Sequence, residues 1–154
     1  MDGLTQPRYR PNAAGILQRT DGRILICERF NEAGSWQFAQ GGVNSGETME
    51  QALVREMEEE LSLCAEDYLI LTQKGPYRYL FGKGRGKKGF DGQEQTYFLT
   101  LMTCPEEKIN VNTPHQEFRR VRWVDPSEFD LGWVPDFKRE VYRAVLTDFF
   151  GIAK

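Results

Sequence analysis

Apolar residues recur along this chain with two different periods, and each period marks a different kind of element. Short aliphatic runs at Ala13–Gln18 and Arg23–Arg29 flank Thr20-Asp21-Gly22, which predicts two strands joined by a turn. Further strands are expected near Tyr68–Gln73, over Gln95–Met102, where Thr96 and Thr100 interrupt apolar and aromatic residues, and over Arg119–Val124. Helical spacing governs two other segments. Met49, Leu53, Met57 and Leu61 form one apolar stripe at roughly 100° per residue. Thr48 followed by Gln51 is a capping-box signature that starts this helix, which is expected to run to Leu61. Phe137, Val141, Val145 and Phe149 recur every fourth residue and predict a closing amphipathic helix. Helices on both sides of a mixed sheet make an α/β/α sandwich. The 154 residues are expected to form one domain.

The first helix carries charge where its apolar stripe should be. Glu60 projects between Met49 and Leu53, with Glu56 and Glu59 on the border of the stripe, while Thr48, Gln51 and Glu58 point away. Glutamates at i, i+3 and i+4 repel one another on a helix surface. Turned inward, they must protonate, pair with a base or bind a cation. Arg55 is expected to neutralise one of them. A solvated acidic face is the alternative reading of any Glu-rich helix, and the inward direction of these charges weighs against it.

The segment GGVNSGETMEQALVREMEEELSL resembles the Nudix box, G-x5-E-x7-R-E-U-x-E-E-x-G-U, in which U is a bulky aliphatic residue. Gly41, Glu47, Arg55, Glu56, Met57, Glu59, Glu60 and Leu63 fit the pattern. Ser62 departs from it, standing where the family has glycine. That site lies just past the helix, where a left-handed backbone costs a non-glycine residue roughly 1 kcal/mol. The resemblance implies a Nudix-type α/β/α sandwich and hydrolysis of a phosphoanhydride bond. It also implies a metal site of Glu56, Glu59, Glu60 and the Gly41 carbonyl, holding more than one ion. Arg55 is then the residue that orients the glutamates, and Glu47 the one that fixes the loop before the helix.

Trp36-Gln37-Phe38-Ala39-Gln40-Gly41-Gly42 is similar to the W-Q-F-P-Q-G-G approach of one subfamily, and Ala39 replaces its proline in what is expected to be a turn. That subfamily contains bacterial RNA 5′-pyrophosphohydrolases and diadenosine polyphosphate hydrolases. Tyr9-Arg10-Pro11-Asn12, Gly92-Gln93-Glu94-Gln95 and Phe137-Lys138-Arg139-Glu140-Val141-Tyr142 match its opening, a strand entry and its last helix. By the same resemblance Glu117, in His115-Gln116-Glu117-Phe118, is a further metal ligand or the general base, with Glu56 the other candidate. A lone acid beside arginines also reads as a salt-bridge partner. Glu56, Glu60 and Glu117 are thus the catalytic candidates. Arg10, Arg29 and Lys138 are implied near phosphates, and Tyr79 and Phe137 around the phosphate chain and base. Phe137 also reads as a core residue.

Composition narrows the chemistry. The single histidine, His115, excludes a His-based zinc site, and Cys27, Cys64 and Cys104 are too scattered for a thiolate one. A metal must be held by oxygen, which favours Mg2+ or Mn2+. The cysteines are expected to be reduced thiols in a cytoplasm. No run is long enough to span a membrane. A net charge of −3 argues against wholesale coating of nucleic acid such as double-stranded DNA, but leaves room for a local basic patch. One candidate patch is Tyr77–Lys88, where Arg78, Lys83, Arg85, Lys87 and Lys88 alternate with Tyr77, Tyr79 and Phe81. Such a loop suits a nucleotide or a single-stranded RNA end, or is merely solvated. Gly84–Gly89 satisfies G-x-G-x-x-G but lacks the strand before it and the helix after it that a dinucleotide site needs. Two substrates stay open, a 5′-phosphorylated RNA end and a dinucleoside polyphosphate. A non-catalytic nucleotide sensor is a third reading, disfavoured by the intact set of glutamates.

Overall fold

A computed structural model describes residues 6–82, 86 and 89–154. Among these described residues seven strands form one mixed sheet: β1 (Tyr9–Gln18), β2 (Ile24–Arg29), β3 (Trp36–Gln37), β4 (Ala39–Gly42), β5 (Tyr68–Leu80), β6 (Gly92–Met102) and β7 (Phe118–Val124). Two helices accompany it, α1 (Met49–Leu61) and α2 (Arg139–Phe150). β1 runs parallel to β6 from Tyr9↔Gly92 to Gln18↔Leu101, and β5 lies antiparallel on the far side of β6. No helix among the described residues is long and apolar enough to cross a membrane.

The alternation of β1 assigns the two helices to opposite faces. Ala14 and Ile16 pack with Phe38, Tyr97 and the Val141, Tyr142 and Val145 side of α2. Ala13 and Leu17 pack with Phe98 and the Leu53, Met57 and Leu61 stripe of α1. The α/β/α sandwich expected from periodicity is therefore the one formed.

The sheet forks where the site lies. β1 meets β2 only at Gln18↔Ile24. Beyond that point β1 pairs with β4, from Asn12↔Gly42 to Gly15↔Ala39, while β2 pairs with β3 and β7. These two short strands, β3 and β4, are not legible as strands in the sequence. Ala39 is the first residue of β4 and not part of a turn, and Gly41 and Gly42 are strand residues rather than loop. β5 also runs further than its expected end, because β6 continues to pair with it through Tyr79↔Gln93 and Leu80↔Gly92. Tyr77, Arg78 and Tyr79 therefore belong to a strand and not to a basic loop. Arg78 binds Glu94 at 2.7 Å, and Tyr79 is buried. Lys83, Arg85, Lys87 and Lys88 of that patch lie outside the described residues.

The capping box of α1 is present: Gln51 N–H donates to Thr48 Oγ1 at 3.1 Å, and Thr48 N–H donates to Gln51 Oε1 at 2.9 Å. Ser62 ends the helix at φ 64° and ψ 28°, the left-handed conformation the family assigns to glycine. Its Oγ donates to the Asn110 carbonyl at 2.8 Å, and Asn110 N–H returns to the Leu61 carbonyl at 3.0 Å. This two-point tie offsets the backbone cost. Phe137 lies in a 3-10 turn, Asp136–Lys138, one residue short of α2.

Candidate active site

Every residue that the family resemblance implies for metal, catalysis or substrate, apart from the supporting Glu47 and Arg55, borders one cavity of about 480 Å³ in the fork of the sheet. β1 contributes Arg10, β2 Arg29, β4 Gly41 and α1 Glu56, Glu59 and Glu60. Tyr79, Glu117, Phe137 and Lys138 complete it from β5, the segment before β7 and the turn before α2.

The three helix glutamates are not equivalent. Glu60 is 6% exposed, and its Oε1 accepts the Gln40 N–H at 3.0 Å. Burial first, then the charge of Glu56, pushes its carboxyl well above the usual range. Glu56 is also raised by burial, against the opposing pull of Arg55, whose Nη1 lies 2.6 Å from Glu56 Oε1. Glu59 departs from expectation. Its side chain is 58% exposed, at the rim of the cavity, because its position on the helix border turns it past the sheet.

Arg55 does more than neutralise one partner. Its Nε and Nη2 grip Glu47 at 2.8 and 2.9 Å, Nη2 also donates to the Gly42 carbonyl at 2.8 Å, and Nη1 reaches Glu59 at 3.4 Å beyond Glu56. The bidentate guanidinium pulls the Glu47 carboxyl down to about 2. Glu47 in turn accepts the Asn44 N–H at 2.9 Å and so fixes the loop between β4 and α1. The expected supporting roles of both residues have a geometric basis.

Oxygen chemistry and space both fit a hard divalent cation. Glu56, Glu59, Glu60, Glu117 and backbone carbonyls are donors that line the cavity. A Cβ at position 41 would displace the Glu56 carboxyl from its place, and one at position 42 would displace the Arg10 guanidinium. Among the described residues the acids are not drawn into one tight three-ligand cluster, and Glu56 leans on Arg55 instead. Glu117 is exposed, and its neighbours Arg119 and Arg120 pair with Glu28 rather than with it. The simple salt-bridge reading of Glu117 thus has no support in the geometry.

Other lining residues are aromatic and cationic. The Tyr79 and Phe137 rings lie 5.8 Å apart, and Lys138 Nζ sits 5.9 Å from the Tyr79 ring centre and 3.4 Å from Gln37 Oε1. Burial raises the Tyr79 hydroxyl to about 12, keeping it protonated. Phe137 packs against the core and borders the cavity.

Asn12, Gln37, Gln40 and Gln93, to which the sequence assigns no role, also line the cavity, as does Phe81 of the basic and aromatic segment. All four amides stand inside the matched motifs, so the signal lies in the motifs' polar amides. Gln93 Nε2 donates to Tyr79 at 2.8 Å, while its buried Oε1 has no protein partner among the described residues.

A family model described as the NUDIX domain matches residues 8–145. The chain belongs to the Nudix family. This Nudix chain is 39% identical over 150 residues to an RNA pyrophosphohydrolase of Sodalis glossinidius, covering 94% of this chain and 85% of the relative. It is 37% identical over 148 residues to an RNA pyrophosphohydrolase of Sphingopyxis alaskensis, covering 92% of each. Among solved structures, the E. coli dihydroneopterin triphosphate pyrophosphohydrolase superposes with a TM-score of 0.67 at 18% identity, over 92% of this chain and 97% of that one. A C. elegans Ap4A hydrolase binary complex superposes with a TM-score of 0.65 at 20% identity, over 93% and 99%. At such low identity these structures speak for the shared Nudix fold alone.

Proposed function

We propose that this Nudix chain removes phosphate from the 5′ end of RNA, converting a 5′-triphosphate or 5′-diphosphate end to a monophosphate. The observation that carries the reading is that one cavity is lined both by the carboxylates of α1 and by Arg10, Arg29, Lys138, Tyr79 and Phe137. The resemblance of nearly the whole chain to RNA pyrophosphohydrolases supports RNA as the substrate. The likeness to an Ap4A hydrolase is at fold level, which leaves dinucleoside polyphosphates as the second reading.

Glu56, Glu59, Glu60 and the Gly41 carbonyl would hold one or more Mg2+ or Mn2+ ions. Such ions neutralise phosphate oxygens and acidify water, and so overcome the repulsion between a polyphosphate and a nucleophile. Arg10, Arg29 and Lys138 orient the phosphate chain, with Tyr79 and Phe137 flanking it and the base. Of the two candidates for general base, Glu117 is the better placed. Glu56 commits Oε1 to Arg55, whereas no hydrogen bond to the Glu117 carboxylate occurs among the described residues. Glu117 therefore accepts the proton of the attacking water. The cytoplasm, where 5′-phosphorylated RNA is found, is the matching compartment.

Comparing kcat/KM on a short 5′-triphosphate RNA and on diadenosine tetraphosphate, with each ion in turn, tests this directly. Preference for the RNA is expected. A strong preference for the dinucleotide would transfer the assignment to the second reading.

A further inference from the structure

Gln40 stands at the end of a file of buried hydrogen bonds that runs under the cavity. Its Oε1 accepts from Asn12 Nδ2 at 2.6 Å, Asn12 Oδ1 accepts from Gln95 Nε2 at 3.0 Å, and Gln95 Oε1 accepts from the Tyr97 hydroxyl at 3.0 Å. Asn12, Gln95 and Tyr97 are almost wholly shielded from solvent. All three bonds run the same way: the Tyr97 hydroxyl donates to Gln95, the Gln95 amide to Asn12 and the Asn12 amide to Gln40. Each acceptor oxygen along the file thus faces a donor, and each NH2 group faces an oxygen. Turning the Gln40 amide over would set its NH2 group against that of Asn12.

The outcome is that Gln40 offers the cavity an NH2 group, with two donors and no acceptor. No protein group among the described residues takes those protons, and Gln40 lines the cavity beside Gly41 and Glu60. We propose that Gln40 is a donor to a substrate phosphate oxygen, aimed from beneath by Asn12, Gln95 and Tyr97 as positioning residues. This rests on the phosphoanhydride reading given above. A neutral donor suits the place. A lysine or arginine so near Glu60 would pair with the carboxylate and compete with a divalent cation, whereas an amide can hold an anionic oxygen and leave the acid free. One residue thereby serves both partners, since the Gln40 backbone N–H holds Glu60 while its side chain meets the substrate.

The test compares wild type, Gln40→Met and Tyr97→Phe in hydrolysis of 5′-triphosphate RNA and in equilibrium binding of inorganic tripolyphosphate, with melting curves alongside. Gln40→Met keeps the backbone N–H on Glu60. It is expected to raise KM and the tripolyphosphate Kd about tenfold, with kcat within about threefold, as loss of a hydrogen bond to a charged group implies. Tyr97→Phe removes the polarity of the file without touching the cavity and is expected to raise both constants about two- to threefold. In the wild type, the side-chain amide protons of Gln40 should shift in NMR spectra when tripolyphosphate is added. Unchanged constants in a folded Gln40→Met, or an unmoved Gln40 amide, would overturn the proposal. If Gln40→Met does not fold, unchanged constants in Tyr97→Phe overturn it instead. Gln40-dependent tripolyphosphate binding without cleavage of the RNA would refute the proposed function and leave this inference standing.

Discussion

The two ends of α1 hold glutamates in opposite states. At its start Glu47 has every need met: a two-point grip from Arg55, a backbone N–H from Asn44, and a carboxyl lowered to about 2. At its end Glu60 is buried with one backbone N–H for company, and its carboxyl is driven upward. The same side chain is a structural clamp just before the helix and a buried carboxyl without an ion-pair partner among the described residues near its end. What separates them is the position of Arg55, whose guanidinium reaches Glu47, Glu56 and Glu59, while no ion pair to Glu60 occurs among the described residues. A binding protein gains nothing from such an uncompensated charge. A site that receives a doubly charged ion does.

The largest effect that can break this contrast is at Glu60. Glu60→Gln is expected to cut kcat/KM about a thousandfold, the size of several kcal/mol of lost charge stabilisation. The metal-free variant should melt no lower than the wild type, because a repulsive buried charge is gone while Gln keeps an acceptor for the Gln40 N–H. A large fall in Tm without metal would place Glu60 with the clamps instead. Next comes Gly41→Ala, whose methyl displaces the Glu56 carboxyl; a loss of about a hundredfold in kcat/KM is expected, consistent with misplacement by about 1 Å. Wild-type rates in that variant would mean that Glu56 need not stand where it does.

The pH dependence of stability should carry both signs. Glu60 binds its proton more tightly folded than unfolded, so metal-free protein loses stability as pH rises from about 4.5 toward the raised folded value. Glu47 binds its proton less tightly when folded. Its contribution is present above 4.5 and disappears as pH falls toward about 2. Melting curves between pH 2 and 8 in chelator should show a maximum in the acid range, and Glu60→Gln should flatten its alkaline side. An unchanged alkaline slope in that variant would remove Glu60 as its source. The smallest effect is expected at Ser62→Gly. Relief of the left-handed backbone, roughly 1 kcal/mol, is partly cancelled by loss of the Oγ bond to Asn110, so Tm should rise by a few degrees at most.

Much of the helix and its acidic site is legible in the order of the amino acids, and the reasons are local. Thr48 and Gln51 stand next to each other on one helical turn, and the stripe from Met49 to Leu61 repeats often enough to fix the helix and the direction of Glu60. β3 and β4 escape notice because strands of two and four residues are too short for alternation to register, and two of those residues are glycines. The far half of β5 escapes because Lys74, Gly75 and Pro76 interrupt it, and only pairing with β6 holds it in the sheet. The exposure of Glu59 depends on how far α1 overhangs the fork, a tertiary quantity. The file from Tyr97 to Gln40 joins β1, β4 and β6, so no window along the chain contains it.

The inward carboxylates of α1, Glu60 above all, are expected to bind a divalent cation. Titration of Mn2+ followed by electron paramagnetic resonance tests this most directly, with wild type, Glu60→Gln and the outward-facing control Glu58→Gln side by side. Tight binding is expected in the wild type and the control and should be lost in Glu60→Gln. Equal binding by all three proteins would contradict the account.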